Sequence, residues 1–313
     1  MTPRQPVVSG AQLVKALEKD GWTVVRQRGS HVRLKKPGRR MALVVPVHRE
    51  LRKGTLAGIL RDADLDADGQ MLGNDLKAVD GASEGAWIEP ALGGGDGAVT
   101  EQVPKLFEAY ARVFHPPSDD QGNAVTWAEV ARRLGRTAHP EMQWHQIVGT
   151  ADTFGIEGSS WSGNIPRLGE MGIEELDRLC EVLGEQTADS EHCYFGLCEI
   201  NHHPLVRAIE GEQGKQSRLG LPLGRDHLVL AGPLIAVVQF GADPLWREAP
   251  SLIWPADRSW FVASEVDFDS TLVGGSRALV DALVAAPGLE VHEVQPETKL
   301  TAFSDKLNPV GEP

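Results

Sequence analysis

Apolar positions near the N-terminus first follow a helical period. Leu13, Val14 and Leu17 fall on one stripe of a helix, which predicts an α-helix from Ser9, a suitable N-cap, to about Lys19. The first eight residues carry no such pattern, and we expect them to be disordered.

The pattern then changes to the alternation that is typical of strands. Apolar and basic residues alternate in short runs that predict strands at residues 22–28 and 31–36. A β-branched run closed by Pro46 predicts a third strand at 41–45. A second helical stripe follows over residues 54–63. The resulting α-β-β-β-α order is complete within about 60 residues and predicts a compact domain over residues 1–65.

A Gly-Ser turn connects the first two of these strands and places His31 at the start of the second. Because successive side chains of a strand point to opposite faces, His31, Arg33 and Lys35 share one face. The apolar residues between them face the other side, where they can be buried. The pattern therefore predicts an imidazole among fixed cations on a half-buried sheet.

Downstream of this domain the composition changes. Residues 66–102 are rich in Gly and Asp, with Gly93-Gly94-Gly95 near the end, and predict an acidic linker. Residues 103–301 mix both periods and predict a larger α+β domain of unknown function, followed by a C-terminal tail at 302–313. Within it we expect helices at 105–113, 127–134, 174–183 and 277–285, the last capped by Ser276, and strands at 193–200, 227–231, 260–268 and 290–294.

The charge distribution separates the two predicted domains. The chain carries −13 overall, yet residues 1–65 hold 14 Lys and Arg against 5 Asp and Glu, a net +9. The remainder holds 17 basic and 39 acidic residues, a net −22. Such asymmetry favours a polyanion-binding module joined to an acidic one, and it predicts that the acidic part docks on the basic part of the same chain.

The composition also indicates the cellular compartment of the protein. No apolar run approaches the roughly 20 residues that cross a bilayer, and the N-terminus lacks the apolar core of a signal peptide. Three cysteines in a long chain do not indicate a disulfide framework. We expect a cytoplasmic protein that does not bind a membrane.

The chemistry of His31 suits the cleavage of a polyanion such as RNA. Cleavage by the 2′-hydroxyl of RNA needs a base, an acid and cations that stabilise the phosphorane, and histidine suits either proton-transfer role. Two other interpretations stay open: His31 binds phosphate without cleaving, or it is structural. His48, after the third strand, is a secondary acid/base candidate or a solvated loop residue.

Basic residues around His31 are the candidate RNA contacts. Arg52 and Lys53 precede a predicted helix N-terminus, an arrangement that suits a phosphate and equally suits a solvated charge pair. Arg39 and Arg40 lie in a Pro-Gly turn that could reach the RNA backbone. The predicted RNA-binding set is Arg28, Ser30, Arg33, Lys35, Arg39, Arg40, Arg52 and Lys53.

These residues together resemble the HicA (YcfA-like) family of toxin endoribonucleases over Ser9 to Leu65. The matching pieces are Ser9-Gly10, Gly21-Trp22, Arg26-Gln27-Arg28-Gly29-Ser30-His31, Val45-Pro46-Val47-His48, Lys53-Gly54-Thr55-Leu56 and Ile59-Leu60. The resemblance implies a fold like that of double-stranded-RNA-binding domains and an enzyme that cleaves mRNA without a metal or other cofactor. It also implies a HicB-like antitoxin partner and a catalytic role for His31.

Two constellations in the larger domain have metal-ligand residue types. His192, Cys193, Cys198, His202 and His203 do not match a structural zinc spacing, and the two cysteines should face opposite sides of a strand.

Glu265, Asp267 and Asp269 would share one strand face and could hold Mg²⁺, or simply be solvated. We predict no metal. The stretches 139–145 and 254–260 resemble uncharacterised actinobacterial proteins, which implies no activity.

Three functions remain from the sequence. The first is a toxin-type mRNA endoribonuclease with His31 as general acid or base. The second is an RNA- or partner-binding module without chemistry. In the third, the larger domain carries the main activity and the small domain directs it to a target.

Overall fold

The computed structural model describes residues 9–19, 21–28, 30–36, 42–47, 51, 59, 76–169, 171–198, 217–222, 225–241 and 249–310. These residues form a small three-stranded sheet near the N-terminus and a larger sheet-rich domain that follows it in the sequence. The chain is thus α+β, as the sequence predicted. No helix among these residues is long and apolar enough to span a bilayer.

Helix α1 spans Gly10–Lys19 and begins with a reciprocal cap. The Gln12 amide donates to Ser9 Oγ at 3.2 Å, while the Ser9 amide donates to Gln12 Oε1 at 2.8 Å. Leu13 and Leu17 are buried under the sheet. Gly21 follows the helix with φ +90°, a left-handed conformation that glycine adopts without strain.

Three antiparallel strands follow in the order β1 Thr23–Arg28, β2 His31–Lys35 and β3 Leu43–Pro46. We call them the basic sheet. Leu34 and Val45 are fully buried against α1, and Leu51 and Ile59 join the same core. Ile59 is helical, and the rest of the predicted second helix lies outside the described residues.

Helix α1 rests directly on the end of β3. A Cβ on Gly10 would lie 1.9 Å from the Pro46 carbonyl oxygen and 2.7 Å from Val47 Cα. Only a glycine therefore allows this approach, which explains why Ser9-Gly10 opens the helix. The contact fixes α1 against the edge strand beside His31.

The larger domain is built on a nine-stranded antiparallel sheet, counted over the described residues, which we call the large sheet. The strands are β4 Lys77–Ala78, β5 Ala109–Phe114, β6 Cys193–Cys198, β7 Leu219–Leu221, β8 Arg225–Gly232, β9 Leu252–Pro255, β10 Phe261–Ala263, β11 Ser270–Gly275 and β12 Glu290–Val294. Their order in the sheet is β12-β5-β11-β10-β9-β6-β8-β4, with β7 paired to β8. The helices are α2 Gly81–Glu84, α3 Trp127–Arg133, α4 Trp144–Ile147, α5 Ile173–Glu185 and α6 Arg277–Val284.

Both faces of the large sheet are covered. Helices α5 and α6 pack on one face, where Leu183 and Leu283 are fully buried. Ile88, Val99 and Val103 cover the opposite face and share a core with strand residues of β9 and β10. Short 3₁₀ turns at Glu89–Ala91, Val99–Glu101 and Leu234–Gly241 complete these layers.

Residues 66–102 were predicted to form a linker, but residues 76–102 of this segment are part of the larger domain. Residues 76–102 contribute strand β4, which pairs with β8, and the buried side chains Ile88 and Val99. A few apolar residues among Gly and Asp are enough to cover a sheet face, although the average composition is that of a linker.

Several local predictions for the larger domain are confirmed. Helices α3, α5 and α6 and strands β6, β8 and β12 lie where the patterns placed them, and Ser276 Oγ accepts the Leu279 amide at 3.2 Å as the cap of α6. The helix predicted at 105–113 is wrong, because residues 109–113 belong to strand β5, which lies between β12 and β11. The strand predicted at 260–268 is shorter, since β10 ends at Ala263.

Candidate functional site

His31 opens the central strand of the basic sheet. Its backbone pairs with Arg28 of β1 on one side and with Pro46 of β3 on the other. The Val47 amide also donates to the Ser30 carbonyl, which ties the turn before His31 to the end of β3. The backbone that carries the imidazole is therefore held from both sides.

Burial along β2 alternates as the sequence predicted. Val32 and Leu34 are buried in the core, while His31 and Arg33 are half-buried and Lys35 is exposed on the other face. The His31 side chain is 40% exposed. An imidazole and two cations therefore share one accessible face of the basic sheet.

Two groups lie beside the two ring nitrogens of His31. Ser30 Oγ is 3.4 Å from Nδ1, within reach of a weak hydrogen bond. Glu174 Oε1, in the first turn of α5, is 3.8 Å from Nε2. Glu174 itself is 69% exposed, so this contact is a surface contact between the basic sheet and the larger domain.

Arg33 has a donor that the described residues do not use. Its Nε is buried and has no hydrogen-bond partner in the described part of the chain. A buried N–H without an acceptor is costly. Arg33 thus lies on the His31 side of β2 with one buried donor unused among the described residues.

Other members of the predicted RNA-binding set cannot be placed beside His31. The side chain of Arg28 lies outside the described residues, and so do Arg39, Arg40, Arg52 and Lys53 and the secondary candidate His48. Their roles stay predictions.

The first metal-like constellation of the larger domain has a structural explanation. Cys193 packs into the core under α5, and Cys198 faces the opposite side of the sheet, so the two thiols diverge as predicted. His192 Nδ1 lies 2.7 Å from Asp189 Oδ2. His202 and His203 lie outside the described residues.

The acidic constellation is divided between two arginines. Glu265 and Asp267 contact Arg225 at 2.6 and 3.2 Å, whereas Asp269 contacts the buried Arg112 at 3.3 Å. Across the residues that the structure describes, no group of three or more His, Cys, Asp or Glu is arranged to hold a metal ion.

Sequence reasoning missed Glu174 as a neighbour of His31. It is 143 positions from His31, and its acidic pair with Glu175 at a helix start is the pattern of an ordinary helix N-terminus. No local signal in the sequence connects it with the basic sheet.

Comparison with known proteins identifies the N-terminal part of the chain. Residues 10–65 match the family model described as HicA toxin of bacterial toxin-antitoxin, a family of mRNA-cleaving toxins. Searches of the curated proteins and of the solved structures return no match. The matched residues include α1 and all three strands of the basic sheet, with His31 at its centre. The N-terminal region of this chain therefore carries a HicA toxin domain.

Proposed function

We propose that the protein is a toxin-type, metal-independent mRNA endoribonuclease and that His31 is its general acid or base. The observation that carries the proposal is the position of His31. It lies on the accessible face of the central strand, with its backbone paired on both sides and with Arg33 and Lys35 on the same face.

The chemistry follows from that face. His31 takes the proton of the 2′-hydroxyl as that oxygen attacks the adjacent phosphorus, or it gives a proton to the 5′-oxygen that leaves. Arg33 and Lys35 stabilise the negative charge that develops on the phosphorane oxygens. A well-placed acid or base of this kind contributes about 10²- to 10⁴-fold in rate.

RNA is bound through its sugar-phosphate backbone in this proposal. A net charge of +9 over residues 1–65 gives affinity for RNA through phosphate contacts and counterion release, with little specificity for the RNA sequence. Arg28, Ser30, Arg39, Arg40, Arg52 and Lys53 complete the proposed RNA-binding set, with His48 as a secondary acid or base. The substrate, mRNA, places the activity in the cytoplasm.

The proposal is tested by His31→Ala in the full-length protein. We expect RNA cleavage in the presence of EDTA to fall by at least about 100-fold, because the acid or base is lost. The thermal melting curve should be unchanged, since a half-exposed residue at a strand start contributes little to stability. His192→Ala, which removes an exposed histidine far along the chain, is the matched control and should cleave like the wild type.

Two outcomes decide between the enzyme and a pure binding module. Equal cleavage by folded His31→Ala and wild type would contradict the catalytic role. A wild type that binds RNA but yields no fragments, with or without divalent metal, would favour the binding function instead.

The larger domain is proposed to restrain this activity in cis. Glu174 places a carboxylate 3.8 Å from His31 Nε2, on the face where a phosphate oxygen or a 2′-hydroxyl must approach. A net charge of −22 beyond residue 65 favours the same docking over a longer range. A HicB-like antitoxin remains the proposed partner in trans, and both would compete with RNA for the basic face.

A further inference from the structure

The two ring nitrogens of His31 have different surroundings. Nδ1 lies 3.4 Å from Oγ of Ser30, the residue that precedes it in the chain. Nε2 lies 3.8 Å from Oε1 of Glu174, which belongs to helix α5 of the larger domain. Nδ1 therefore faces the turn that carries the histidine, whereas Nε2 is the nitrogen that a group from outside the basic sheet reaches.

The backbone holds Ser30 and His31 in fixed positions. His31 pairs with Arg28 of β1 and with Pro46 of β3. The carbonyl of Ser30 accepts the amide of Val47, so the turn is fastened to the end of β3 as well. Because both residues are held at the backbone, the distance between the hydroxyl and the ring depends only on rotation of the two side chains.

A histidine that exchanges protons through Nε2 needs a proton on Nδ1 at every stage. When it acts as a base, the ring is neutral and Nε2 presents its lone pair, so the single ring proton is on Nδ1. When it acts as an acid, the ring is an imidazolium and both nitrogens carry protons. A serine oxygen can accept such an N–H, and the hydrogen bond of one ring nitrogen decides the state of the other.

We propose that Ser30 is a positioning residue of the nuclease: its hydroxyl accepts the Nδ1–H of His31 and leaves Nε2 to exchange protons with the RNA. This inference rests on the proposed acid or base role of His31 and names the atom that performs it. A serine that only contacted RNA would act on binding of the substrate, whereas a positioning serine acts on the ring.

Glu174 makes the opposite demand on the ring. A carboxylate accepts hydrogen bonds but donates none, so a carboxylate beside Nε2 favours a proton on that nitrogen. Ser30 can keep the proton on Nδ1 only when Glu174 does not hold it on Nε2. The tautomer that Ser30 selects is therefore best measured in the full-length Glu174→Gln protein, in which the competing charge is removed.

Nuclear magnetic resonance of full-length Glu174→Gln protein, labelled with ¹⁵N at histidine, reports the tautomer directly. At alkaline pH the ring of His31, identified by the signals that an added His31→Ala change removes, should carry its proton on Nδ1. Ser30→Ala should shift the ring to the Nε2–H form, and Ser30→Thr, which keeps a hydroxyl, should not. An Nε2–H ring in the presence of Ser30, or the same tautomer with and without the hydroxyl, would overturn the proposal.

Cleavage kinetics separate positioning from RNA binding. Ser30→Ala should lower kcat about 3- to 10-fold, the value of one hydrogen bond, and leave KM unchanged. Ser30→Thr should restore kcat, and Ser83→Ala, which removes an exposed hydroxyl of α2, is the control and should cleave like the wild type. A raised KM with unchanged kcat in Ser30→Ala would make Ser30 an RNA contact and refute the positioning role.

The positioning role and the nuclease assignment fail in different ways. Cleavage that is unchanged in His31→Ala would remove the catalytic histidine and, with it, the role of Ser30. Cleavage that depends on His31 but is unchanged in Ser30→Ala would overturn the positioning role alone.

Discussion

The two sheets of this protein treat their polar residues in opposite ways. The basic sheet buries one face on α1 and leaves His31, Arg33 and Lys35 on an accessible face. The large sheet is covered on both faces and encloses Arg112, His115 and His227, each less than 5% exposed. An open face lets charged residues meet a large polymer, whereas an enclosed one can hold polar groups only with partners inside the fold.

The largest effect of this difference should be on stability in acid. Burial lowers the pKa of His115 and of His227 from the usual 6.5 to about 4. Below pH 6.5 the two histidines are protonated in the unfolded chain but stay neutral in the folded one. The free energy of unfolding therefore decreases as the pH is lowered from 6.5 to about 4, where the folded imidazoles are protonated too. Each histidine accounts for roughly 3 kcal/mol across this window, to an order of magnitude.

Urea denaturation followed by tryptophan fluorescence measures this loss, because seven of the eight tryptophans lie beyond residue 65. His115→Gln, which can still bond Thr271, should flatten the dependence between pH 6.5 and 4. A free energy of unfolding that is constant over this range would show that the large sheet does not keep these histidines neutral.

A smaller effect should come from the packing of α1 on the basic sheet. In Gly10→Ala the new Cβ meets the Pro46 carbonyl oxygen, so the helix must move, and we expect a loss of about 1–3 kcal/mol. Gly94→Ala, where no atom lies within 4 Å of the new Cβ, is the control in the larger domain. Circular dichroism melts compare the two, and equal stability of both variants would contradict the close approach.

The smallest effect should come from the contact between the two regions. Glu174→Gln removes the carboxylate beside His31, and we expect RNA cleavage by the full-length protein to rise about 1.5- to 5-fold, the range of an exposed ion pair. Glu185→Gln, at the far end of α5, is the control and should leave the rate unchanged. A rate that is equal in both variants would remove Glu174 from the proposed restraint.

Local signals were enough where the structure depends on neighbouring residues. The alternation of β2, the cap and stripe of α6, and the bounds of β12 all follow from residues within a few positions of one another. The shared face of His31, Arg33 and Lys35 belongs to the same class, because strand geometry alone decides it.

The failed predictions concern segments whose surroundings come from elsewhere. Residues 106, 110 and 113 are apolar at helical spacing, yet β5 lies between β11 and β12 and is buried on both faces, which removes any alternation. Glu265 and Asp267 were read as one solvated or metal-binding face, but their counterion, Arg225, is about 40 positions away in the sequence.

A recess of the larger domain is lined in part by Arg225, His227 and Gln102, and these residues could be recognised only in part from the sequence. Arg225 and His227 stand two residues apart at the start of the apolar strand β8, so a shared face carrying an arginine and a histidine was a detectable signal. Gln102 had none, because only the fold brings it to that face. Distant residues meet by strand pairing, which a single sequence does not encode in its neighbours.

The pairing of β12 with β5 has a consequence for the newly made protein. Strand β5 ends at residue 114, and its partner β12 begins at residue 290. The ribosome must therefore add about 180 residues after β5 before the sheet can be completed. At about 5–20 residues per second this takes roughly 10–40 s. Throughout that interval the HicA toxin domain is already synthesised, while the domain proposed to restrain it is still incomplete. Each round of translation would thus open a short period of unrestrained activity, close to the mRNA being read.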